Sequence, residues 1–116
     1  MGNAPRSGRE RIQDILDAIA EIQTFVGSQS RSQFLSDAKT LKAVVADLII
    51  IGEAARHVPD DVLQAHPHIP WPLMCGMRNR IVHGYFQVDA AIVWDTCQND
   101  LTPVIEPLRK ILAAIP

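Results

Sequence analysis

Residues 41–55 read LKAVVADLIIIGEAA, and this stretch decides the fold. Apolar residues recur in it at steps of three and four, which is the spacing of one face of an α-helix. They are Leu41, Val44, Val45, Leu48, Ile51 and Ala55. Four more widen the apolar surface nearly all round the helix, namely Ala43, Ala46, Ile49 and Ile50. We therefore predict a helix over roughly 38–58 that is central in the fold or lies in an interface.

The same helical spacing continues towards both ends of the chain. Before the central stretch, it predicts an amphipathic helix over about 8–26 and a short helical turn over 30–36. After the central stretch, a short helix is predicted over 59–66, and a proline-rich loop follows it. Trp71 and Pro72 then open a further helix, because proline is tolerated in the first turn.

The C-terminal part, residues 88–115, carries an apolar stripe at helical spacing. Pro103 and Pro107 each lack a backbone donor, so we predict a kink or a break near Thr102. No alternating strand pattern and no hairpin turn occurs in the sequence. The predicted fold class is therefore all-α, a four- to five-helix up-and-down bundle.

Length and composition set the next bounds. A chain of 116 residues fits one domain, which we place at 9–116 after a disordered tail at 1–8. The hydrophobic fraction of 47% is high for a monomer of this size, so we predict a buried interface. Because the central helix is apolar nearly all round, we predict that a second copy covers part of it in a homodimer. A formal charge of -2 gives no overall attraction to nucleic acid, so an RNA site must depend on a local patch.

The cellular compartment is predicted from the length of the apolar runs and from the cysteines. The longest apolar run, residues 43–52, is interrupted by Asp47 and is too short to span a bilayer, so no membrane association is predicted. Cys75 and Cys97 have no metal-ligand spacing, and free thiols in a reduced, cytoplasmic setting are the expectation. No cofactor is predicted.

Residues 78–85 read RNRIVHGY and carry most of the chemistry. Arginine can hold a phosphate with a fork of N–H donors, and histidine can exchange a proton near neutral pH. No Asp or Glu lies between Trp71 and Val88, so this segment is locally positive. These residue types suit cleavage or transfer at a phosphodiester without a metal. The alternative is that they are ordinary surface residues at a helix end.

The spacing of the motif needs a geometric explanation. On one straight helix His83 lies about 140° from Arg78, so both side chains cannot point at one position. Asn79 shares a face with His83, and it can bind a phosphate or a base or hold that histidine in one tautomer. Two arrangements restore a joint site. Either Gly84 ends the helix so that His83 and Tyr85 turn inward, or two copies of the motif face each other across a two-fold axis.

The octapeptide resembles the signature of the HEPN superfamily, and its trailing Gly-Tyr resembles the HepT branch. That branch comprises the toxin halves of HepT–MntA toxin–antitoxin pairs. Residues 48–55, LIIIGEAA, are similar to the second conserved block of the branch. The Trp71-Pro72 helix start and the VWD sequence at 93–95 also fit, so the resemblance covers most of residues 9–113.

This resemblance implies a helical bundle that dimerises and a metal-independent endoribonuclease that cleaves tRNA or mRNA. Arg78 and His83 would be the catalytic pair in a transesterification by the RNA 2′-hydroxyl. Asn79 and Arg80 would position the RNA strand. Tyr85 would be the residue to which a partner antitoxin, a nucleotidyltransferase of the MntA type, transfers AMP.

Two acidic residues of the central helix are further candidates. Asp47 interrupts the apolar run, where a lone buried carboxylate is costly. It can support a catalytic group or pair with a basic residue, or it can be a helix-edge residue that reaches solvent. Glu53 is a second candidate for support. It lies four residues before His57, a spacing that can hold a metal, but no third ligand is in register and we expect none.

Three classes of function remain open. The first is the ribonuclease toxin, and the second is a non-catalytic helical subunit that presents Tyr85 to a nucleotidyltransferase. A helical dimerisation module without a role in nucleic-acid chemistry is the third. Aromatic residues do not separate these classes, since they can stack on nucleobases or pack in the core. They are Trp71, Phe86 and Trp94.

Overall fold

The computed structural model describes residues 6–83 and 87–115, and at His83 the backbone alone. Within these residues it contains eight α-helices and one pair of two-residue strands. The helices are α1 (Gly8–Val26), α2 (Arg31–Leu35), α3 (Ala38–Arg56), α4 (Asp60–Ala65), α5 (Trp71–Cys75), α6 (Met77–Ile81), α7 (Ala90–Asn99) and α8 (Thr102–Ala114). The strands are β1 (Val82–His83) and β2 (Gln87–Val88). The described chain is mostly helical, as predicted.

The helices α1 and α3 make the most extensive contact in the described part of the chain. A capping box starts α1, because Ser7 Oγ accepts from the Glu10 backbone N–H and Glu10 Oε1 accepts from that of Ser7. The buried face of α1 consists of Ile12, Ile15, Ala18, Ile19, Ile22 and Val26. This helix matches the predicted range. Residues 1–5 of the predicted tail lie outside the described residues.

The central position predicted for the 41–55 stretch is confirmed. Its helix, α3, packs against α1, α2, α5, α6 and α7. Asp37 caps the first turn and accepts from Thr40 N–H and Oγ1–H, which lowers the pKa of its carboxyl to about 2. One face of α3 remains uncovered, since Ile49 and Ile50 are 37% and 47% exposed. No helix in the described residues is long and apolar enough to cross a membrane.

The helix that starts at Trp71 is shorter than predicted. It breaks at Gly76, which ends α5 and precedes α6, and α6 ends at Ile81, three residues before Gly84, which one of the two arrangements predicted from the sequence made the end of the helix. Steric crowding explains the glycine at the break, because a methyl group at Gly76 would lie 3.2 Å from the Pro72 carbonyl oxygen. Both short helices pack against α3. The motif is therefore not part of a single straight helix.

A strand pair follows α6, although no hairpin is predicted from the sequence. The two strands are antiparallel, with Val82 opposite Val88. Two residues are too few to produce an alternating pattern, and this explains why no strand is predicted there. The Asp89 backbone N–H donates to the Ile81 carbonyl at 3.3 Å, and the Asp89 carboxylate caps α7. The strand pair thus joins the end of α6 to the start of α7.

The break predicted near Thr102 is confirmed. α8 begins at Thr102, and Pro103 occupies its first turn, where a missing backbone donor is tolerated. Pro107 lies inside the same helix. α8 packs against α1, and Arg9 Nη1 donates to the Leu112 carbonyl at 2.7 Å. The C-terminal helix is therefore held to the N-terminal helix by both apolar packing and a charged hydrogen bond.

Gly52 determines how closely α3 approaches the segment that carries the motif. It is buried, and a methyl group in its place would lie 3.3 Å from the Met74 carbonyl oxygen and 3.5 Å from that of Cys75. The Arg78 backbone nitrogen would be 4.0 Å away. The absence of a side chain therefore lets α5 and the start of α6 pack directly on the α3 backbone. The block at 48–55 and the motif are thus neighbours in space.

Replacing Gly52 by valine is expected to lower the free energy of unfolding by about 1–3 kcal/mol, because the new methyl groups overpack this contact. Thermal unfolding followed by circular dichroism measures the change. Ala20→Val is the matched control, since Ala20 is exposed on α1 and only the lower helix propensity of valine acts there. Its expected cost is under about 1 kcal/mol. Equal losses in the two variants would contradict a close approach at Gly52.

Candidate functional site

The short helix α6 is held by buried side chains at its two ends. Met77 and Ile81 are 1% and 0% exposed and belong to the core. They are four residues apart and therefore share the inner face of the helix. The three residues between them, Arg78, Asn79 and Arg80, are all exposed. The predicted catalytic arginine and both predicted RNA-positioning residues thus lie on one solvent-facing surface, which we name the α6 surface.

Arg78 presents most of its donors to solvent. Among the described residues its guanidinium makes one hydrogen bond, in which Nη1 donates to Asn79 Oδ1 at 3.4 Å. A bond of that length is weak, and the other N–H groups of the fork remain available. The Asn79 side-chain oxygen accepts from this neighbouring arginine. An exposed guanidinium with one weak partner is suited to bind an incoming phosphate.

Arg80 differs from Arg78 because it forms an ion pair. Its Nη1 donates to Asp100 Oδ2 at 3.0 Å, and Asp100 follows the last residue of α7. The segment between Trp71 and Val88 contains no acidic residue, but the folded chain brings Asp100, which follows α7, next to Arg80. Sequence reasoning missed Asp100 because it lies 20 residues from Arg80 and no local pattern connects the two. The positive charge of the α6 surface is therefore concentrated at Arg78.

His83 does not belong to the helix that carries Arg78. It lies on β1, where its backbone pairs with that of Gln87. Val82, the residue before it, already has an extended backbone with φ -105° and ψ 115°. The helical angle of about 140° between the two predicted catalytic residues therefore does not apply to this chain. Tyr85, the predicted site of AMP transfer, lies outside the described residues.

Glu53 adjoins the glycine contact between α3 and α6 but is engaged by its own helix. Its Oε1 lies 3.6 Å from His57 Nδ1, and that nitrogen lies 2.8 Å from the Glu53 carbonyl oxygen. Both side chains are exposed. Across residues 6–83 and 87–115, no three His, Cys, Asp or Glu side chains are placed to hold a metal ion. The described contacts of Glu53 thus remain within the last turn of α3.

Asp47 lies on the side of α3 that faces α1. It is 3% exposed, and it lines a cleft with the acidic residues Asp14, Asp17 and Glu21. Burial raises the pKa of Asp47 to about 6, and hydrogen bonding and repulsion from the Glu21 carboxyl add to the effect. The expectation that Asp47 reaches solvent or pairs with a basic residue is wrong for the described part of the chain. No residue of α6 lines this cleft.

The other candidate groups serve packing. Trp71 is 6% exposed and donates from Nε1 to the His66 carbonyl at 3.0 Å. The rings of Trp94 and Phe34 pack with their centroids 5.4 Å apart. For both tryptophans core packing is therefore the correct alternative, while Phe86 lies outside the described residues.

The two cysteines are free but poorly suited to nucleophilic chemistry. Burial raises the pKa of the Cys75 thiol, and it raises that of Cys97 to about 12. A thiol reacts through its thiolate, which is scarce at neutral pH when the pKa is raised in this way. The reactive groups that the sequence predicts for this chain therefore remain those of the α6 surface and of β1.

Comparison with known proteins shows to which family most of the chain is similar. A family model described as Ribonuclease HepT-like matches residues 15–111. A protein of Thermococcus cleftensis named as a probable ribonuclease HepT is 40% identical over 108 residues, which cover 90% of this chain and 98% of that protein. A candidate RNase of Methanocaldococcus jannaschii is 34% identical, with 92% of this chain and 88% of that protein covered. No solved structure matches this chain.

Proposed function

Because the chain belongs to the HepT-like ribonuclease family, we propose that it is an endoribonuclease and the toxin of a toxin–antitoxin pair. In this proposal it cleaves tRNA or mRNA without a metal ion. A nucleotidyltransferase antitoxin of the MntA type inhibits it by transferring AMP to Tyr85. The observation that carries the proposal is the α6 surface, where the exposed guanidinium of Arg78 precedes the strand that bears His83.

The proposed reaction is a transesterification in which the RNA supplies its own nucleophile. The 2′-hydroxyl oxygen attacks the adjacent phosphorus, and the bond from phosphorus to the 5′-oxygen breaks. The products are a 2′,3′-cyclic phosphate and a 5′-hydroxyl. His83 takes the proton from the 2′-hydroxyl or gives one to the leaving oxygen. Arg78 stabilises the negative charge that develops on the phosphorane oxygens.

The neighbours of Arg78 are assigned to positioning the strand. Asn79 provides amide groups that can bind a phosphate or a base. Arg80 keeps donors beyond the Nη1 group that it gives to Asp100. The ion pair with Asp100 also holds the Arg80 side chain in one direction, which reduces the entropy lost when a phosphate binds. In this assignment Arg78 stabilises the transition state, and Arg80 helps to bind the RNA in the ground state.

A homodimer is part of the proposal. A two-fold axis beside α6 would bring two copies of the α6 surface into one cleft. The uncovered face of α3 supports this, because Ile49 and Ile50 are exposed apolar side chains on the helix that carries Gly52. Burying such a face against a second copy is the usual reason for an exposed apolar patch.

Cleavage of tRNA by the purified, unmodified protein is expected to persist in excess EDTA. The reason is chemical, since the proposed nucleophile comes from the RNA and the charge is stabilised by a guanidinium. Gel analysis of the fragments measures activity, and the ends are identified by whether a kinase can label the 5′-hydroxyl directly. A rate within about twofold of that without EDTA is the expected result, since a catalytic metal ion supplies far more than that.

Two other outcomes would change the assignment. Activity that appears only with an added divalent metal would remove the metal-independent mechanism. No activity under any condition, combined with tight binding of a nucleotidyltransferase, would favour the non-catalytic partner subunit. Protein that carries Tyr85→Phe is the control for modification in this assay, because it cannot carry an AMP group at that position.

A further inference from the structure

A cleft of about 200 Å³ between α1 and α3 is separate from the α6 surface. Its lining consists of Asp14, Asp17, Ala18, Glu21, Asp47 and Ile50. Four of these six residues carry carboxyl groups. Like charges gathered in one cleft repel each other unless protons or cations are shared among them. Each carboxyl group of this acidic cleft therefore needs a hydrogen-bond partner, a shared proton or a cation.

Two of the four carboxylates have partners on α1 or next to it. Asp14 pairs with Arg6 through distances of 2.7 and 2.8 Å. The Asp17 Oδ1 atom accepts from the Gln13 side-chain amide at 2.8 Å. Glu21 is exposed and forms no ion pair with a described residue. The carboxyl groups with neither an ion pair nor an amide donor in the described residues are therefore those of Glu21 and Asp47, which lie close enough to affect each other.

Asp47 is the group that points to a ligand. Its side chain is 97% buried, being 3% exposed, and its Oδ2 atom has no hydrogen-bond partner in the described residues. A buried acceptor without a partner is costly, and an ionised one is more so. The raised pKa of Asp47 indicates that its ionised form is unfavourable beside Glu21 when no cation is near. A shared proton would relieve the repulsion between the two carboxyl groups, and a bound cation would relieve it with both groups ionised.

The volume and the lining of the cleft indicate which kind of cation it can bind. It is smaller than the ~300–1,000 Å³ of sites that bind small organic ligands. No three acidic, His or Cys groups of the described ranges are arranged for a metal ion. Ile50 lines the rim and is 47% exposed, which offers an apolar wall beside the carboxylates. A cation with a flexible methylene stem would place its head at Asp47 and its stem along Ile50.

We propose that this cleft binds the guanidinium or ammonium group of an aliphatic cation, with Asp47 and Glu21 as its acceptors. Two sources offer this chemistry, a basic side chain of a protein partner and a free polyamine. The proposed site contains no residue of α6 and is therefore separate from the α6 surface.

Titration of the intact protein with N-acetylarginine amide and, separately, with spermidine tests the proposal by ¹H–¹⁵N NMR. Saturable shifts are expected for amides near the cleft, in residues 14–21 and 47–50. Carboxyl ¹³C NMR should show that the pKa of Asp47 falls when the probe is bound, since a nearby cation favours the ionised form. Tighter binding of N-acetylarginine amide assigns the cleft to a protein side chain, and tighter binding of spermidine assigns it to a polyamine.

Asp47→Asn removes the charge and keeps the shape, so binding of the tighter probe should weaken about tenfold or more. Glu21→Gln lies at the exposed end and gives a second test if the first variant fails to fold. Asp61→Asn is the matched control, because Asp61 is an exposed acid on α4 and should not alter binding. The proposal is overturned by the absence of saturable shifts, or by equal binding in all four proteins.

Discussion

RNA cleavage is expected to fall about a hundredfold or more in both Arg78→Ala and His83→Ala. A positioned general acid or base contributes about 10²–10⁴ in rate, and a group that stabilises developing negative charge contributes about 10²–10³. Groups that act in one transition state work as a unit, so the double variant should be little slower than the slower single variant. Initial rates on tRNA at equal protein concentration measure all three.

These losses should occur without unfolding. Arg78 is exposed and forms one weak hydrogen bond with the described residues, so its removal should change the free energy of unfolding by less than about 0.5 kcal/mol. His83 pairs with β2 through backbone atoms, which alanine retains. Arg109→Ala and His68→Ala are matched controls, since both residues are exposed and lie outside the motif. A catalytic variant that melts early or loses the wild-type mass in light scattering would identify its residue as structural.

Arg78→Lys separates charge from geometry. Lysine keeps the positive charge, but it loses the planar fork that binds two phosphate oxygens at once. If Arg78 clamps the phosphorane, the lysine variant should recover little of the activity that alanine loses. Full activity with lysine would show that a point charge is sufficient, and the proposed bidentate contact would then be wrong.

The long helices could be predicted from the sequence because periodicity reports burial directly. The predicted 8–26 helix is Gly8–Val26, and the predicted 38–58 helix is Ala38–Arg56. In each, most of the buried positions are apolar positions of the predicted face, although on the central helix Asp47 is buried while Ile49 and Ile50 are exposed. The break before Thr102 followed from two prolines that cannot donate. Local chemistry determines all three features, so a single sequence contains them.

The motif segment could not be predicted as well, because tertiary contacts decide its shape. Helical spacing alone would continue one helix from Trp71 through Ile81. The structure interrupts it at Gly76 and then pairs β1 with β2. The pairing partner comes from a segment that follows the motif, and two-residue strands carry no period of their own. The geometric objection to a joint Arg78–His83 site was correct for a helix and does not hold for this chain.

Contacts between charged residues that lie far apart in the sequence were the feature hardest to predict. Asp47 was expected to reach solvent or a basic partner because a lone buried carboxylate is costly, whereas its neighbours in space are the acids of α1. Arg80 looked free because its own segment contains no acid, whereas Asp100 reaches it from the end of α7. In both cases the deciding group lies at least 20 residues away. Only the packing of the helices brings these groups together.

Co-expression with a neighbouring nucleotidyltransferase is expected to attach AMP to Tyr85 and to abolish cleavage to about the level of Arg78→Ala. Each AMP joined to the phenol oxygen through a phosphodiester adds one negative charge two residues after His83 in sequence. That charge repels RNA phosphates and competes for the cation that should bind them. The Arg78 guanidinium is suited to this competition, because its one hydrogen bond among the described residues is 3.4 Å long.

The sequence makes this modification easy to assign. Tyr85 is the only tyrosine in the chain, so any addition linked to a tyrosine must be at this position. Mass spectrometry of the intact protein counts the AMP-sized additions, and peptide mapping places them. Tyr85→Phe should block the additions, keep cleavage near the unmodified level and remain toxic in the presence of the partner. Treatment of the modified wild type with a phosphodiesterase should restore its activity.

Tyr85→Phe also separates a regulatory tyrosine from a catalytic one. Phenylalanine keeps the ring and removes only the hydroxyl, so a purely regulatory residue loses nothing in the absence of the partner. If Tyr85→Phe is inactive without any partner, the hydroxyl takes part in binding or in chemistry, and inhibition by AMP would then reflect loss of a catalytic group. Additions that map to serine or threonine would remove Tyr85 from the switch. An active Phe variant that the partner still silences would show that binding alone inhibits the enzyme.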